Sequence, residues 1–522
     1  MIAVYIPYYN SSFGTIVTLA VLTPAMVLPF SGYRLICRLY LGFLQFIRSR
    51  KPIYIFTELN ERALLLANDI KSRAQRCIII FCINGKQGGI KEKELEKKAG
   101  EQSYILLPDY DCEDVYRLCR HFHRNRLYLF AIREADHENA GYIHRLSGVF
   151  GSAKKAIPIS VYSFLTDKMY EEIYSRGRFS SLELHVVEES DLASRQLFGR
   201  FSLYSCVRED NTLNVCVIGY SKVAEELYRN IAYLGQGYEI RLRIIMVEEG
   251  IQDKTAPFFN RNPELLKCIE VEYIDRKPDT AAYFEYMKKQ LPAMDCVIAV
   301  SGNPVNTIAE ISRIKRQAGC NTTLCVYMGE AASSSLLFGT KLLSDVIPFG
   351  RKKDIYTESI IINEALDQLA KGFHNYYAQL CHDPRSWEQI SLPEKQSSRA
   401  LALHVQSKLY TLGLRYCLGC QVQLFEDRIR EEGVLEKLAI GEHLRWNAYF
   451  FSHGWRTMEL SKAEDKNKDE AMRFHCCMVD WDDLDQVSER FHKDYKEMDR
   501  HLVRNIGNVL KSVGYGVEEI DK

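Results

Sequence analysis

The chain has 522 residues, too many for one hydrophobic core, and its 68 Lys+Arg balance its 68 Asp+Glu. That balance leaves no basic field of the kind that binds DNA or RNA polymers directly. Its 16 cysteines are scattered, and several (Cys77, Cys82, Cys216, Cys296) stand inside apolar, strand-like runs. Cysteine used as a small hydrophobe fits a reducing cytosol better than a disulfide scaffold. Cys417 and Cys420 form a CxxC with no second pair nearby to complete a zinc site, and no metal is expected.

The first predicted element is a membrane span. Residues 13–30 (FGTIVTLAVLTPAMVLPF) carry no charge, and at about 1.5 Å per residue they just cross a hydrocarbon core of roughly 30 Å. Arg34, Arg38, Arg48, Arg50 and Lys51 follow. The positive-inside rule then places residues 1–51 as a transmembrane and juxtamembrane segment of the cell inner membrane, with residues 52–522 cytoplasmic. Two other readings stand beside this one: a signal peptide, against which the uncharged start MIAVYIPYYN speaks, and a buried core hairpin. One crossing with so short an outer end acts most naturally in a homo-oligomer.

From Pro52 the rhythm changes. IYIF (53–56), CIIIFCI (77–83), YILL (104–107), RLYLFAI (126–132), IPISVYSF (157–164) and LELHVV (182–187) are apolar strands separated by helical stretches such as NERALLLANDIKSRA. The pattern repeats from Leu213, with RLRIIMVEE (241–249), IEVEYI (269–274), CVIAVSG (296–302), TLCVYM (323–328) and SDVIPF (344–349). Such alternation predicts parallel, doubly wound sheets. The expected fold class is therefore α/β: two tandem Rossmann-like domains (52–205 and 211–350), a helical linker (351–430) and a small, mainly helical domain (431–518). Within the linker, 360–381 reads as one amphipathic helix and 383–398 as a polar loop.

The second Rossmann-like stretch opens on Gly219-Tyr220-Ser221-Lys222-Val223-Ala224. This is the dinucleotide turn G-x-G-x-x-G/A with serine at the second glycine. The first glycine permits the tight turn, and Ala224 lets the helix pack close. Serine narrows the approach of a pyrophosphate, yet its hydroxyl can meet a phosphate at the helix N-terminus. Glu248 ends the next strand, where a carboxylate reaches a ribose hydroxyl. Gly219, Ser221, Lys222 and Glu248 are the candidate cofactor-binding set, for a nucleotide or NAD-like ligand; a purely structural turn is the other reading. Residues 213–330 resemble the N-terminal domain of Trk-type potassium-uptake regulators, which implies binding of dinucleotides or adenine nucleotides and gating of a membrane partner. The equivalent turn of the first stretch, Thr57-Glu58-Leu59-Asn60-Glu61-Arg62, has no glycine, and Glu58 repels phosphate, so its expected role is scaffold or dimer surface. No acid–base or nucleophile constellation accompanies either turn, and an enzyme is not expected.

The C-terminal stretch carries Glu442-His443-x-Arg445-Trp446, then Gly454-Trp455-Arg456, then His475-x-x-x-Val479-x-Trp481-Asp482-x-Leu484, then Asp499-Arg500-x-x-Val503. In that order these motifs are similar to the ryanodine-receptor (RyR) domain and its bacterial relatives. The segment from Ser397 through Arg399 to Gly413 is similar to the lead-in of the bacterial members. Cys476, where the family has proline, and the long loop at 459–470 depart from the pattern. Tryptophan faces stack bases, and arginine forks hold phosphate. The candidate ligand-binding set is therefore Arg399, His443, Arg445, Trp446, Trp455, Arg456, His475, Trp481 and Asp499; a tryptophan-rich core with internal ion pairs is the other reading. RyR domains joined to Trk-type domains and membrane segments imply a membrane-anchored sensor or effector of a small nucleotide-derived signal, as in antiphage defence. The alternative is a nucleotide-gated regulatory subunit of a potassium transport system.

Overall fold

The computed structural model describes residues 50–74, 76–83, 89–152, 156–166, 182–300, 303–329, 343–463 and 466–520. The apolar run 13–30 lies outside the described residues, among which no helix is long and apolar enough to cross a membrane. The chain divides into two compact units: residues up to Glu189 with Lys352–Asn363, and Ser190–Arg351 with Glu364 onward.

In the first unit β1 (Ile53–Phe56), β2 (Ile78–Ile83), β3 (Ile105–Pro108), β4 (Leu127–Ala131), β5 (Ser160–Leu165) and β6 (Glu183–Glu188) form one parallel sheet, ordered β3-β2-β1-β4-β5-β6. Helices α1 (Glu61–Arg73), α2 (Ile90–Glu101), α3 (Cys112–His121) and α4 (Asp136–Gly151) connect the strands. On one face Ile55, Ile80, Leu129 and Val161 share a core with Val115 and Leu118 of α3 and Ile143 and Leu146 of α4. The other face carries rings in register, Phe81, Phe56, Phe130, Tyr162 and His185, stacked at 4.8, 4.7, 5.1 and 4.7 Å. Burial on both faces is why these strands are continuously apolar rather than alternating.

The second unit repeats the order. Strands β7 (Thr212–Ile218), β8 (Arg241–Glu248), β9 (Glu270–Asp275), β10 (Cys296–Ala299), β11 (Thr323–Tyr327) and β12 (Val346–Phe349) run parallel as β9-β8-β7-β10-β11-β12. Helix α5 (Glu189–Phe198) precedes them; α6 (Lys222–Leu234), α7 (Ile251–Arg261), α8 (Ala281–Gln290) and α9 (Pro304–Ala318) connect them. Both sheets thus have the Rossmann-like order, with the strand direction of travel reversing between the first and fourth strands.

The C-terminal part of this unit contains α10 (Gln368–Leu380), α11 (Leu392–Thr411), α12 (Gln423–Ile429), α13 (Val434–Phe451), α14 (Leu484–Phe491), α15 (Tyr495–Arg504) and α16 (Ile506–Ser512). Strands β13 (Leu414–Leu418) and β17 (Tyr515–Glu519) pair antiparallel. Between them in sequence, the two-residue strands β14 (Arg456–Thr457), β15 (Lys468–Asp469) and β16 (Phe474–His475) make a small sheet.

Four expectations are corrected. The break expected near 205–211 lies earlier, because α5 from Ser190 onward belongs to the second unit: Gln196 Oε1 accepts from Gly350 N at 3.1 Å, and buried Arg195 pairs with Asp367. The expected boundary at 430/431 runs through one core, in which Phe373, Val405, Leu409 and Phe425 pack with Leu438, Val509 and Val517; residues 364–430 are therefore not a linker. The single helix expected over 360–381 is broken at Glu364, whose φ is +47°; a short helical turn (Glu358–Ile361) precedes the break and α10 follows it. The polar loop expected over 383–398 contains the first turn of α11. Ser391 caps it, accepting from Glu394 N while its own N–H donates to Glu394 Oε2 at 2.7 Å.

Candidate functional site

In a doubly wound sheet the ligand crevice opens where strand order reverses, beyond the carboxyl ends of the first and fourth strands. In the first sheet the chain closes that crevice with its own side chains. Asn60 caps α1 (Ala63 N donates to Oδ1 at 2.9 Å) and donates across to Ile132 O at 2.7 Å. Thr57 Oγ1 accepts from Ile132 N at 3.3 Å. Glu58 stands beside them, its carboxyl pushed above its usual range by burial.

The corresponding turn of the second sheet is built around glycine. Gly219 adopts φ +94°, a conformation a side chain disfavours, and its N–H donates to Val247 O at 2.8 Å. Ser221 is the N-cap of α6, with Ala224 N donating to Oγ at 3.3 Å. Lys222 begins the helix and is exposed. Glu248 ends β8, and Lys254 Nζ holds its carboxylate at 3.0 Å. The four cofactor candidates thus lie on the carboxyl edge of β7 and β8, at the positions the turn predicts.

From Val223 to Leu234 every residue of α6 is buried. Helices α11 and α13 pack against it, and Phe258 of α7 meets its Tyr228 edge-on at 6.0 Å. Arg229 Nε donates to Ser452 O at 3.3 Å, and Tyr233 meets Tyr449 edge-on at 5.8 Å. At the C-terminal end, where helix carbonyls lack partners within the helix, Ser407 Oγ donates to Leu234 O at 3.3 Å and His404 Nε2 to Gln236 O at 2.9 Å. His404 Nδ1 then accepts from Lys408 Nζ at 2.6 Å, which fixes the neutral Nε2–H tautomer. Burial and the Lys408 charge hold this imidazole well below its usual pKa. Lys408 also donates to Glu442 Oε2 at 2.7 Å, and Arg445 Nη2 to Glu442 Oε1 at 2.6 Å. Burial alone would raise the Glu442 carboxyl, but the two cations outweigh it and bring it down to about 2.

The candidate ligand-binding residues fall into four places. Trp446, Trp455 and His475 converge around Phe450, with Trp446 centred 4.6 Å from Phe450 and 5.0 Å from His475, and Trp455 5.2 Å from Phe450. His443 joins this cluster to Trp481, 5.7 Å away; its Nε2 donates to Val479 O at 2.7 Å and its Nδ1 faces Asp499 at 3.4 Å. Burial pushes the Asp499 carboxyl up. Arg445 belongs instead to the Glu442 network. Arg399 lies in another cluster, where Asp367 accepts from it at 2.5 and 2.9 Å and from Arg195. Arg456 is exposed at the start of β14. The three arginines do not converge on one anion site.

Lys408 is part of the lead-in motif, but no motif marks His404, Gln236 or Asp367. Ser391-Leu392-Pro393-Glu394 is a capping box with proline in the first turn, and it announces α11. That helix would have put His404 and Lys408 on one face, four residues apart.

By strand order, direction and connection, the described chain is a tandem Rossmann-like α/β protein with a C-terminal helical part. No family model and no curated protein matches it. Among solved structures it is similar to a dipicolinate synthase subunit from Bacillus halodurans, at 10% identity over 60% of this chain and 92% of that one, with a TM-score of 0.22. A likeness that distant bears on neither mechanism nor ligand.

Proposed function

We propose that this chain is a membrane-anchored, non-enzymatic sensor that binds a small nucleotide-derived ligand at the Gly219–Ser221 turn and passes the event through α6 to its RyR-like C-terminal part. One observation supports the reading above others: α6 presents its N-terminus to the turn, while Ser407 of the C-terminal part holds its last carbonyl, Leu234 O, and His404 holds Gln236 O just past its end. A phosphate at the N-terminus of this helix interacts with its amides and dipole. Any displacement of so tightly packed a rod is felt at its other end. The ligand shifts the balance between two states only by its different affinity for each. The anchor rests on residues 13–30 and their basic flank, the homo-oligomer on the single crossing with its short outer end, and the role in antiphage defence on the resemblance.

Ser221→Asp tests the site. Aspartate caps a helix as well as serine does, so the melting temperature should hold, while its charge repels a phosphate. Calorimetric titration of the detergent-solubilised full chain with ATP, NAD and ADP-ribose should show binding of at least one, weakened tenfold or more in the variant. Equal binding by variant and wild type removes the turn from the site, and recovery of the full chain in the soluble fraction without detergent removes the anchor.

A further inference from the structure

Cys417 and Cys420 are joined as a disulfide, unlike the thirteen other cysteines among the described residues, which are free. Many of those thirteen are buried in strands as hydrophobes. A bond between residues three apart closes so short a loop that it removes little freedom from the unfolded chain. It is therefore not a staple of the fold, and its value lies in its chemistry. Both cysteines are partly exposed, and Leu418 between them stands 75% exposed, an apolar contact beside an accessible sulfur pair. The loop is laid over the last strand: Gly419 N donates to Gly514 O at 3.1 Å and Val517 N to Gln421 O at 2.9 Å. The Cys420 carbonyl crosses Gly516 so closely that no Cβ fits there. Val517 on that strand is part of the C-terminal core.

From this geometry we infer that Cys417 and Cys420 form a reversible dithiol–disulfide pair, a redox-modification site that clips residues 419–421 onto β17. A thiolate of a small-molecule thiol or of a thioredoxin-type protein attacks one sulfur, forms a mixed disulfide and releases the other cysteine as a thiolate. A second thiol of the reductant displaces the first cysteine. The pair gains two electrons and two protons, and the reductant leaves as its own disulfide. Oxidation by a glutathione-type disulfide is the reverse. Glu518, whose carboxylate lies within 4.8 Å of both sulfurs, makes a zinc site the competing occupant of the same residues; its pairing with Arg415 at 2.7 Å ties that carboxylate up instead.

The test equilibrates the full-length protein in buffers of varied reduced-to-oxidised glutathione ratio, quenches with acid, alkylates under denaturing conditions and digests with trypsin. The peptide from Tyr416 to Arg428 contains both cysteines and no other. Its doubly alkylated form should rise and fall reversibly with the ratio, while Cys216 and Cys296 are alkylated throughout. Cys417→Ser and Cys420→Ser should each trap a glutathione adduct on the remaining cysteine, and reduction should speed hydrogen exchange at the Gly419 and Val517 amides. A pair that stays alkylated at every ratio overturns the inference. So does a pair that copurifies with one zinc, resists oxidation until a chelator removes the metal, and loses the metal in Glu518→Gln.

Discussion

Arg445 and Arg456 stand eleven positions apart on the same chain and differ in every property that decides what an arginine does. Arg445 is 2% exposed and shares Glu442 with Lys408, while its Nη1 has no hydrogen-bond partner. Removing its charge leaves a buried carboxylate with half its compensation, which costs on the order of 3–5 kcal/mol. Arg456 is exposed and makes no ion pair among the described residues. Arg445→Met should therefore melt far below the wild type and Arg456→Met within about 0.5 kcal/mol of it; similar melting of the two variants would refute the assignment. His475 adds a pH dependence. Burial, with Lys468 adding to it, brings its imidazole from 6.5 down to about 4, and its Nδ1 accepts from Cys477 N at 3.1 Å. The folded chain thus refuses a proton that the unfolded chain accepts between pH 6.5 and 4. Stability is complete above pH 6.5 and falls across that window, by on the order of 3 kcal/mol. Asparagine keeps an acceptor in that place without titrating, so His475→Asn should flatten the fall in melting temperature between pH 7 and 4.

At the scale of elements, the most informative case is α11. Its amphipathic pattern is weak because it is covered on several sides, by α10, α13, β13 and α6, so periodicity alone did not reveal where it begins. Its start is set instead by the reciprocal bonds of Ser391 and Glu394. Ser391→Ala removes the side-chain half of that box and should cost about 1 kcal/mol, read from denaturant or thermal unfolding. A loss below about 0.2 kcal/mol would mean that packing alone holds the first turn. The break at Glu364 is the opposite case. The run 360–381 has helical periodicity throughout, yet Asp367 is fixed by Arg195 and Arg399, from elements distant in sequence, and the chain kinks to reach them.

At the scale of the molecule, the second Rossmann-like sheet is not self-sufficient. One side of α6 is finished by α11 and α13, through Tyr449, Ser452, His404 and Ser407. A chain ending at residue 351 would expose that side, including Tyr233 and the cation of Arg229. Size-exclusion chromatography should show it aggregated; a soluble monomer with native-like melting would sink this view of the fold.

Length, charge balance and the apolar strand runs were enough to determine two tandem parallel sheets, because strands buried on both faces announce themselves locally. The glycine turn at 219–221 was legible for the same reason: a left-handed backbone angle at a strand-to-helix turn is a local demand on one residue. The C-terminal motifs likewise brought Trp446, Trp455, His475 and His443 to notice, and the structure gathers those side chains around Phe450 and Val479. What only the tertiary structure decided was the partner of each charge that pairs across elements. The Glu442–Arg445 pair, three residues apart on α13, is legible from spacing alone, but Lys408 joins Glu442 only through the packing of α11 on α13. Whether Arg399 is available to a ligand depends on where Asp367 is carried, and the Leu234 and Gln236 carbonyls at the end of α6 are satisfied by a helix some 170 residues away in the chain. Interactions of that range leave no period, spacing or composition in the sequence.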